Sequence, residues 1–247
     1  MADFKMGATY IHKSLPRVIE DISTDGGNHY MITNPGEDFS EQAADLRAQA
    51  MAETDPDVAA LYEDRANQLD AVSRFDKPSR NYDALELTAT QRPTKNSLLL
   101  ASYTYSKSRG NFPGLFSTET GQLDPNLTSI YDLPDLMANR YGAMGLDRPH
   151  NFKVDGVYTF DFKGAGYFRL GSSFRAQSGI PHNALGAHPT YGGGESYLLG
   201  RGAFNRSPTT WQLDAKLQYG KKLNDTMSLE LFFDLFNVFN NQDQIDQ

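Results

Sequence analysis

The chain contains no cysteine, which excludes a disulfide framework, thiolate metal sites and cysteine nucleophiles. It has no long apolar stretch either. A membrane-spanning helix needs about 20 mostly apolar residues, and the longest uninterrupted apolar run is Val58–Tyr62. Tryptophan occurs once. There is no basic excess: 23 Lys and Arg stand against 31 Asp and Glu, a formal net charge of -8. That argues against a nucleic-acid partner, which would be met by a basic face. Catalytic signatures are missing as well, with no His-Glu-x-x-His pair, phosphate loop or dinucleotide fingerprint, and the expectation is a protein that is not an enzyme. The start, Met1-Ala2-Asp3-Phe4-Lys5-Met6, lacks the apolar segment of a secretory signal. Alone that would suggest cytoplasm, but it carries no weight if the chain is a fragment, and a fragment is what the later patterns suggest.

What is present is unevenly placed. Residues 37–76 hold eleven acids and three bases, so this segment carries the whole net charge and the other residues sum to zero. It is rich in Ala, Leu and Gln and has no Gly. The pattern predicts two short helices split at Asp55-Pro56, because proline is accepted in a first helical turn. Ser40 is the expected cap of the first. Val58, Leu61, Tyr62, Arg65 and Leu69 fall at helical spacing in the second. A solvated helical insertion is the plain reading of such a charge run; an acidic surface that gathers cations is the sharper one.

Elsewhere the period is two. Apolar and polar residues alternate in 83–91, 99–106, 152–162, 167–176, 211–219 and 227–235, and more weakly around Phe4, Met6, Ala8 and Tyr10. Alternation of this length means strands with one apolar and one polar face. Most runs span nine to eleven residues, whereas strands in soluble proteins cluster near five or six; nine to eleven is what a tilted strand needs to cross a bilayer. The apolar faces tend to end in aromatics (Tyr103 and Tyr105, Tyr158 and Phe160, Trp211 and Tyr219), as interfacial girdles would. Connections alternate strictly between short (92–97, 163–166, 220–226) and long (13–81, 107–150, 177–209). Structureless loops beyond about 15 residues are uncommon in compact domains, while outer-membrane barrels pair tight periplasmic turns with long outer loops. Alternation alone also fits a soluble sandwich, a lipocalin-like barrel or a propeller. The polar face discriminates: Lys, Asp, Arg, Glu, Gln, Ser and Thr cannot fill a dry core, and a wet lumen tolerates them.

Specific residues then resemble a known family. Asn34-Pro35-Gly36-Glu37, Tyr82-Asp83-Ala84-Leu85-Glu86-Leu87 and Ala101-Ser102-Tyr103-Thr104-Tyr105-Ser106-Lys107 resemble the C-terminal barrel of TonB-dependent outer-membrane receptors. The nearest subgroup is the Oar-like receptors, which carry an N-terminal carboxypeptidase-regulatory-like domain. The match continues through Arg109–Gly114, Asp147-Arg148-Pro149-His150, Ser178-Gly179-Ile180-Pro181 and Phe236-Asn237-Val238-Phe239-Asn240, the last being the most specific. It covers most of 1–247 except the acidic insertion at 37–76, expected in an extracellular loop. The resemblance implies an all-β, antiparallel transmembrane barrel segment, about seven strands of 22, in the outer membrane of a Gram-negative cell. It also implies active transport: a ligand binds outer loops and plug, and the inner-membrane TonB complex pulls the plug. Expected partners are outer-membrane lipid, the parent's own plug and missing strands, the TonB complex through that plug, and an unidentified extracellular ligand. The chain is expected to be an internal segment, with strand 227–239 running outward and a further strand needed to return. A surface-exposed structural or adhesive barrel without transport, and a soluble β-rich binding protein, are the alternatives.

Candidate ligand or lumen residues are Asp155, Arg169, Arg175, Asp214, Lys216 and Glu230 on the polar face, with contact to a plug and neighbouring strands as the default role. Arg148 and His150 join them as candidates, although Arg148-Pro149-His150 reads first as a structural turn with His150 at the membrane interface. No cofactor is expected. Asp25-Gly26-Gly27-Asn28 and Asp124-Pro125-Asn126 could offer oxygens to Ca²⁺ in outer loops, but turn formation explains both. His182 and His188 lie six apart and would need a further ligand for a metal. Gly192-Gly193-Gly194 reads as loop. A charge at Leu231 is expected to hamper assembly by about 2–4 kcal/mol if that residue faces mid-bilayer.

Overall fold

The structure is a computed structural model of the full chain, described here for residues 3–114, 116 and 129–242. Its strands are β1 (Asp3–Leu15), β2 (Glu20–Ser23), β3 (Tyr30–Thr33), β4 (Arg80–Arg92), β5 (Ser97–Gly110), β6 (Gly142–Ala143), β7 (His150–Asp161), β8 (Tyr167–Gln177), β9 (Leu185–His188), β10 (Gly192–Tyr197), β11 (Thr210–Lys222) and β12 (Ser228–Leu235). Two helices, α1 (Ser40–Ala52) and α2 (Pro56–Val72), lie between β3 and β4.

One sheet dominates. Its order is β1-β4-β5-β7-β8-β11-β12, with β6 also on β5, and every pairing is antiparallel. The two ends of that order, β1 and β12, have one pairing edge each, so the sheet is open. The short turns after β4, β7 and β11 all lie at one end, and the long connections at the other. Pairing is in register over whole strands, which places the alternating residues of neighbours on the same face. Phe152 stands opposite Tyr103 and Ala176, Tyr158 opposite Leu170, and Leu217 opposite Leu170 and Phe233. One face is therefore apolar across all seven long strands. It has an aromatic belt at each end. Tyr103, Phe152, Phe174 and Trp211 make one, with Phe152–Phe174 and Phe174–Trp211 centroids both 6.2 Å apart. Tyr158, Phe160, Phe168 and Tyr219 make the other, with Phe168–Tyr219 at 4.9 Å. From Phe152 to Phe160 the strand advances roughly 27 Å at about 3.4 Å per residue; at a barrel tilt of about 40° that is about 20 Å along the membrane normal. This height is close to the apolar band of an outer-membrane barrel.

Several details differ from the sequence reading. Ser40 is the first helical residue and Phe39 the cap, because Asp38 reaches the Ser40 N–H at 2.9 Å. Asp55 caps α2 through Asp57 N–H at 2.9 Å, with Pro56 at its first position as expected. On α2, Leu69 of the expected stripe is buried, but Leu61 and Arg65 are exposed, and Ala66, Ala71 and Val72 are buried in their place. Small residues win there because they let α2 approach the buried Ala43 and Ala50 of α1. The Gly192-Gly193-Gly194 run opens strand β10 instead of lying in a loop.

The last strand stops at Leu235, short of 239. Asn237 adopts a left-handed φ of 49°, a conformation Asn tolerates better than branched residues. Its N–H donates to Asp214 Oδ1 at 2.8 Å, and Val238 N–H then finds Leu213 O at 2.8 Å. Since Ala215 pairs with Leu235, that bond is one residue out of register, which is a bulge. Leu231 stands opposite Tyr219, in the belt, so its place is interfacial and not mid-bilayer. A charge there is expected to cost about 0–1 kcal/mol.

The long connections build a second, dry core beyond the end of the sheet. Ile22, Met31, Ala43, Ala66, Leu69, Val72, Phe75, Phe112, Ile130, Tyr131 and Met137 form one buried cluster. It joins the β2–β3 hairpin, both helices and the segment before β6. The acidic insertion is thus docked by its apolar side, and Arg47 crosses from α1 to Asp70 of α2 at 2.6 Å. The expectation of a merely solvated insertion misses this core because its members come from four separate segments.

Candidate functional site

The polar face of the sheet gathers most of the expected residues. Asp155 on β7 and Arg175 on β8 form a two-point ion pair, Arg175 Nη2 donating to Oδ1 at 2.9 Å and Oδ2 at 3.0 Å. Lys216 on β11 lies 3.4 Å from Asp234 on β12 and over the Phe232 ring. Arg169 donates to Thr159 on β7 and to Gln218 on β11, both at 3.3 Å. Gln218 donates to Tyr167 Oη at 3.2 Å and to Glu230 at 3.4 Å, and Tyr167 donates to Glu230 at 3.2 Å. One polar network therefore crosses four adjacent strands. Asp214 is held apart from it by Gln212 and the Asn237 N–H.

Sequence reasoning missed Gln218, Tyr167 and Asp234 as members. The polar alternation marks them as facing the same way, but only the register shows which of them meet. The ion pairs are close to half exposed, where such pairs contribute about 0.2–1 kcal/mol. They present alternating charge to whatever lies against this face more than they hold the sheet together. Gly171 and Ser173 leave a shallow floor between them, and a cavity of about 380 Å³ opens there, walled by Arg169, Asp214, Lys216 and Asp234.

Arg148 and His150 lie elsewhere. His150 stands on the apolar face, 2.7 Å from Tyr103 Oη, with its ring 5.3 Å from that of Tyr105. It therefore does not share a face with Asp155 or Arg175. Arg148 donates to Ser178 O at 2.7 Å at the end of the strands. The Asp147-Arg148-Pro149-His150 motif is the joint where the β5 partner changes from β6 to β7. Ser108 N–H has no strand carbonyl to meet there and donates to Asp147 Oδ1 at 2.6 Å. Asp147 is buried and its charge is matched by Arg206 at 2.5 Å. The Ser178-Gly179-Ile180-Pro181 motif packs beside it: a Cβ on Gly179 would lie 1.7 Å from Ser207 O.

In the long connections, Asp25 spends its oxygens on its own turn, accepting from the N–H of Asn28 at 3.0 Å and of His29 at 2.7 Å, with the His29 ring at 2.5 Å. The contact raises the His29 pKa and lowers that of Asp25. His188 contacts Asp135 at 3.3 Å, while the His182 backbone pairs with Asn205 and Phe204. Among the described residues no group of three or more His, Asp or Glu is placed to hold a metal. Asp124-Pro125-Asn126 lies outside the described residues.

Asp132 is half buried, accepts from Tyr191 Oη at 2.5 Å, and has its pKa raised above the ordinary carboxylate value, chiefly by burial. A raised folded-state pKa stabilises the protonated form, so the contribution is present below the unfolded value and is lost as pH rises through the folded one. Amide exchange around Tyr191, corrected for intrinsic rates, should slow as pH falls through the raised folded-state value toward the ordinary carboxylate value of about 4. Asp132→Asn should remove that slope. An unchanged slope would show that another group sets it.

Comparisons with known proteins agree with this architecture. A family profile described as outer membrane beta barrel domain matches residues 34–186. Among curated proteins the chain is 35% identical over 242 residues, 98% of its length, to the TonB-dependent transporter Oar of Myxococcus xanthus. It spans 20% of that relative's length. No solved structure matches the chain.

Proposed function

Because this chain belongs to the outer membrane β-barrel domain family, we propose that it is a stretch of barrel wall in a TonB-dependent transporter, with its polar face toward the lumen and its long connections toward the outside. Its place is the cell outer membrane. The observation that carries the transport reading is the likeness to a TonB-dependent transporter along 98% of the chain. The sheet supports it physically. An open sheet with an apolar face and two unpaired edges needs further strands to satisfy its backbone in a bilayer, and a larger parent barrel supplies them.

In this reading Asp155, Arg169, Arg175, Lys216 and Glu230 line the lumen and meet the parent's plug. Mixed charge suits that duty, because a wall of one sign would grip a plug or cargo of the other. The connections carrying the dry core, with the 37–76 insertion docked on it, form an extracellular platform for the ligand. The energy would come from the TonB complex acting on the plug, outside this chain.

Cysteine labelling tests this: the chain itself contains no cysteine, and any in the rest of the receptor is first replaced by serine. In the full receptor, Ser173→Cys on the polar face should react with a membrane-impermeant maleimide in intact cells, and Leu170→Cys on the apolar face should not. Reaction at Ser173→Cys should speed up in cells with a proton-motive force and slow when it is dissipated. A rate independent of energisation would overturn transport and leave the structural or adhesive barrel. Reaction at Leu170→Cys instead would reverse the facing.

A further inference from the structure

The apolar face ends, beside the long connections, in residues that a hydrocarbon environment does not explain. On β5 the residues of that face run Leu99, Ala101, Tyr103, Tyr105, Lys107 and Arg109. Lys107 and Arg109 therefore point the same way as the leucines, one and two steps beyond the tyrosines. Both are exposed. The acid directly across from Lys107 is Asp83 on β4, but Asp83 is engaged from the other side. His12 and Tyr10 of β1 each reach its Oδ1 at 2.7 Å. Across from Arg109 stands Asn81, which accepts from Ser14 at 2.7 Å. Among the described residues neither cation has an ion pair; Lys107 Nζ lies 5.7 Å over the Tyr105 ring.

We propose that Lys107 and Arg109, above the shelf formed by Tyr103, Tyr105 and His150, bind the phosphate of an anionic glycolipid in the outer leaflet. The placement fits in height and in chemistry. Amphipathic rings sit at headgroup level, so the next residues along the strand lie where lipid phosphates are. Along β5, successive residues on one face are about 7 Å apart, which lets two cations share one phosphorylated headgroup. Arg offers a planar fork of donors and Lys a mobile point charge. In the shelf beneath, His150 is bonded to Tyr103 and packed on Tyr105, and the rings offer the sugar and first acyl carbons an aromatic surface. The neighbouring acid is engaged by Tyr10 and His12 from the β1 side, which leaves both cations available to the headgroup. This site rests on the outer-membrane location and is independent of whether the parent transports anything.

The test uses the intact receptor, purified from outer membranes and followed by native mass spectrometry. The probe is a bis-phosphorylated glucosamine lipid, with its dephosphorylated counterpart and inorganic phosphate as comparisons. A basic residue at an anionic membrane surface contributes roughly fivefold to binding, or about 1 kcal/mol. Lys107→Gln with Arg109→Gln should therefore lower retention of the phosphorylated lipid about 25-fold. Lys107→Arg with Arg109→Lys should keep it, and heat-modifiable gel migration should be the same for all variants. Equal retention by the glutamine variant would overturn the site. So would equal retention of the dephosphorylated lipid, and occupancy by inorganic phosphate alone would show a free-anion site in place of a lipid site. Uptake measurements are not involved, so failure here leaves the proposed function standing, and the reverse.

Discussion

Tyr131→Ala is expected to destabilise the platform of long connections by about 3–5 kcal/mol, the usual cost of removing a large buried aromatic side chain. Tyr131 is fully buried. Its ring meets Phe75 edge-on at 5.9 Å and Phe112 at 6.5 Å, so it joins the segment after α2 to the segment after β5. Its hydroxyl has no hydrogen-bond partner among the described residues, and burial raises its pKa. Tyr131→Phe should therefore cost little or even stabilise, since it deletes an unsatisfied polar atom. The measurement is hydrogen exchange in the intact receptor. In the alanine variant, amides of α2 and β2 should lose protection while those of β7, β8 and β11 keep theirs. Uniform loss across the sheet would mean that platform and wall unfold as one unit and that the dry core is not a separate element.

The second large effect is on the wall. Leu217→Arg is expected to cost about 2 kcal/mol and to impair assembly, because an arginine inside the apolar band loses the hydration of its charge. Leu217 lies two residues inside the Tyr219 belt on its own strand, flanked by Leu170 and Phe233, and its side chain stands on the exposed apolar face. Leu231→Arg, opposite Tyr219, should cost far less. Urea titration of the reconstituted receptor reads both. Equal penalties at the two positions would place the bilayer differently on this face, and no penalty at Leu217 would turn that face away from lipid.

These two positions mark how much was legible beforehand. The strand at Leu217 and its facing follow from alternation, because period two is a local property of the chain. The depth of Leu231 does not, because depth depends on where the partner strand's belt falls, and register is a relation between two segments. The polar site divides in the same way. Asp155 and Arg175 are visibly polar-face residues, yet their pairing is diagonal across two strands. Gln218 carries no charge to draw attention, although it joins Arg169 to Glu230. His150, read from the sequence first as an interfacial residue of a structural turn, is found on the apolar face beside Tyr103 and Tyr105.

The sequence by itself determined the elements: long alternating strands, short turns opposite long connections, an acidic segment split at Asp55-Pro56, and a face too polar for a dry core. Each follows from the stereochemistry of a few neighbouring residues. Tertiary structure alone decided what those elements do to one another. It set the register that builds the belts and the polar network, the bulge at Asn237 that ends β12, and the docking of the acidic helices. It also gathered Ile22, Val72, Phe75, Phe112 and Tyr131 into one core. Apolar residues isolated in polar connections carry no periodic signal, and only folding brings them close enough to exclude water together.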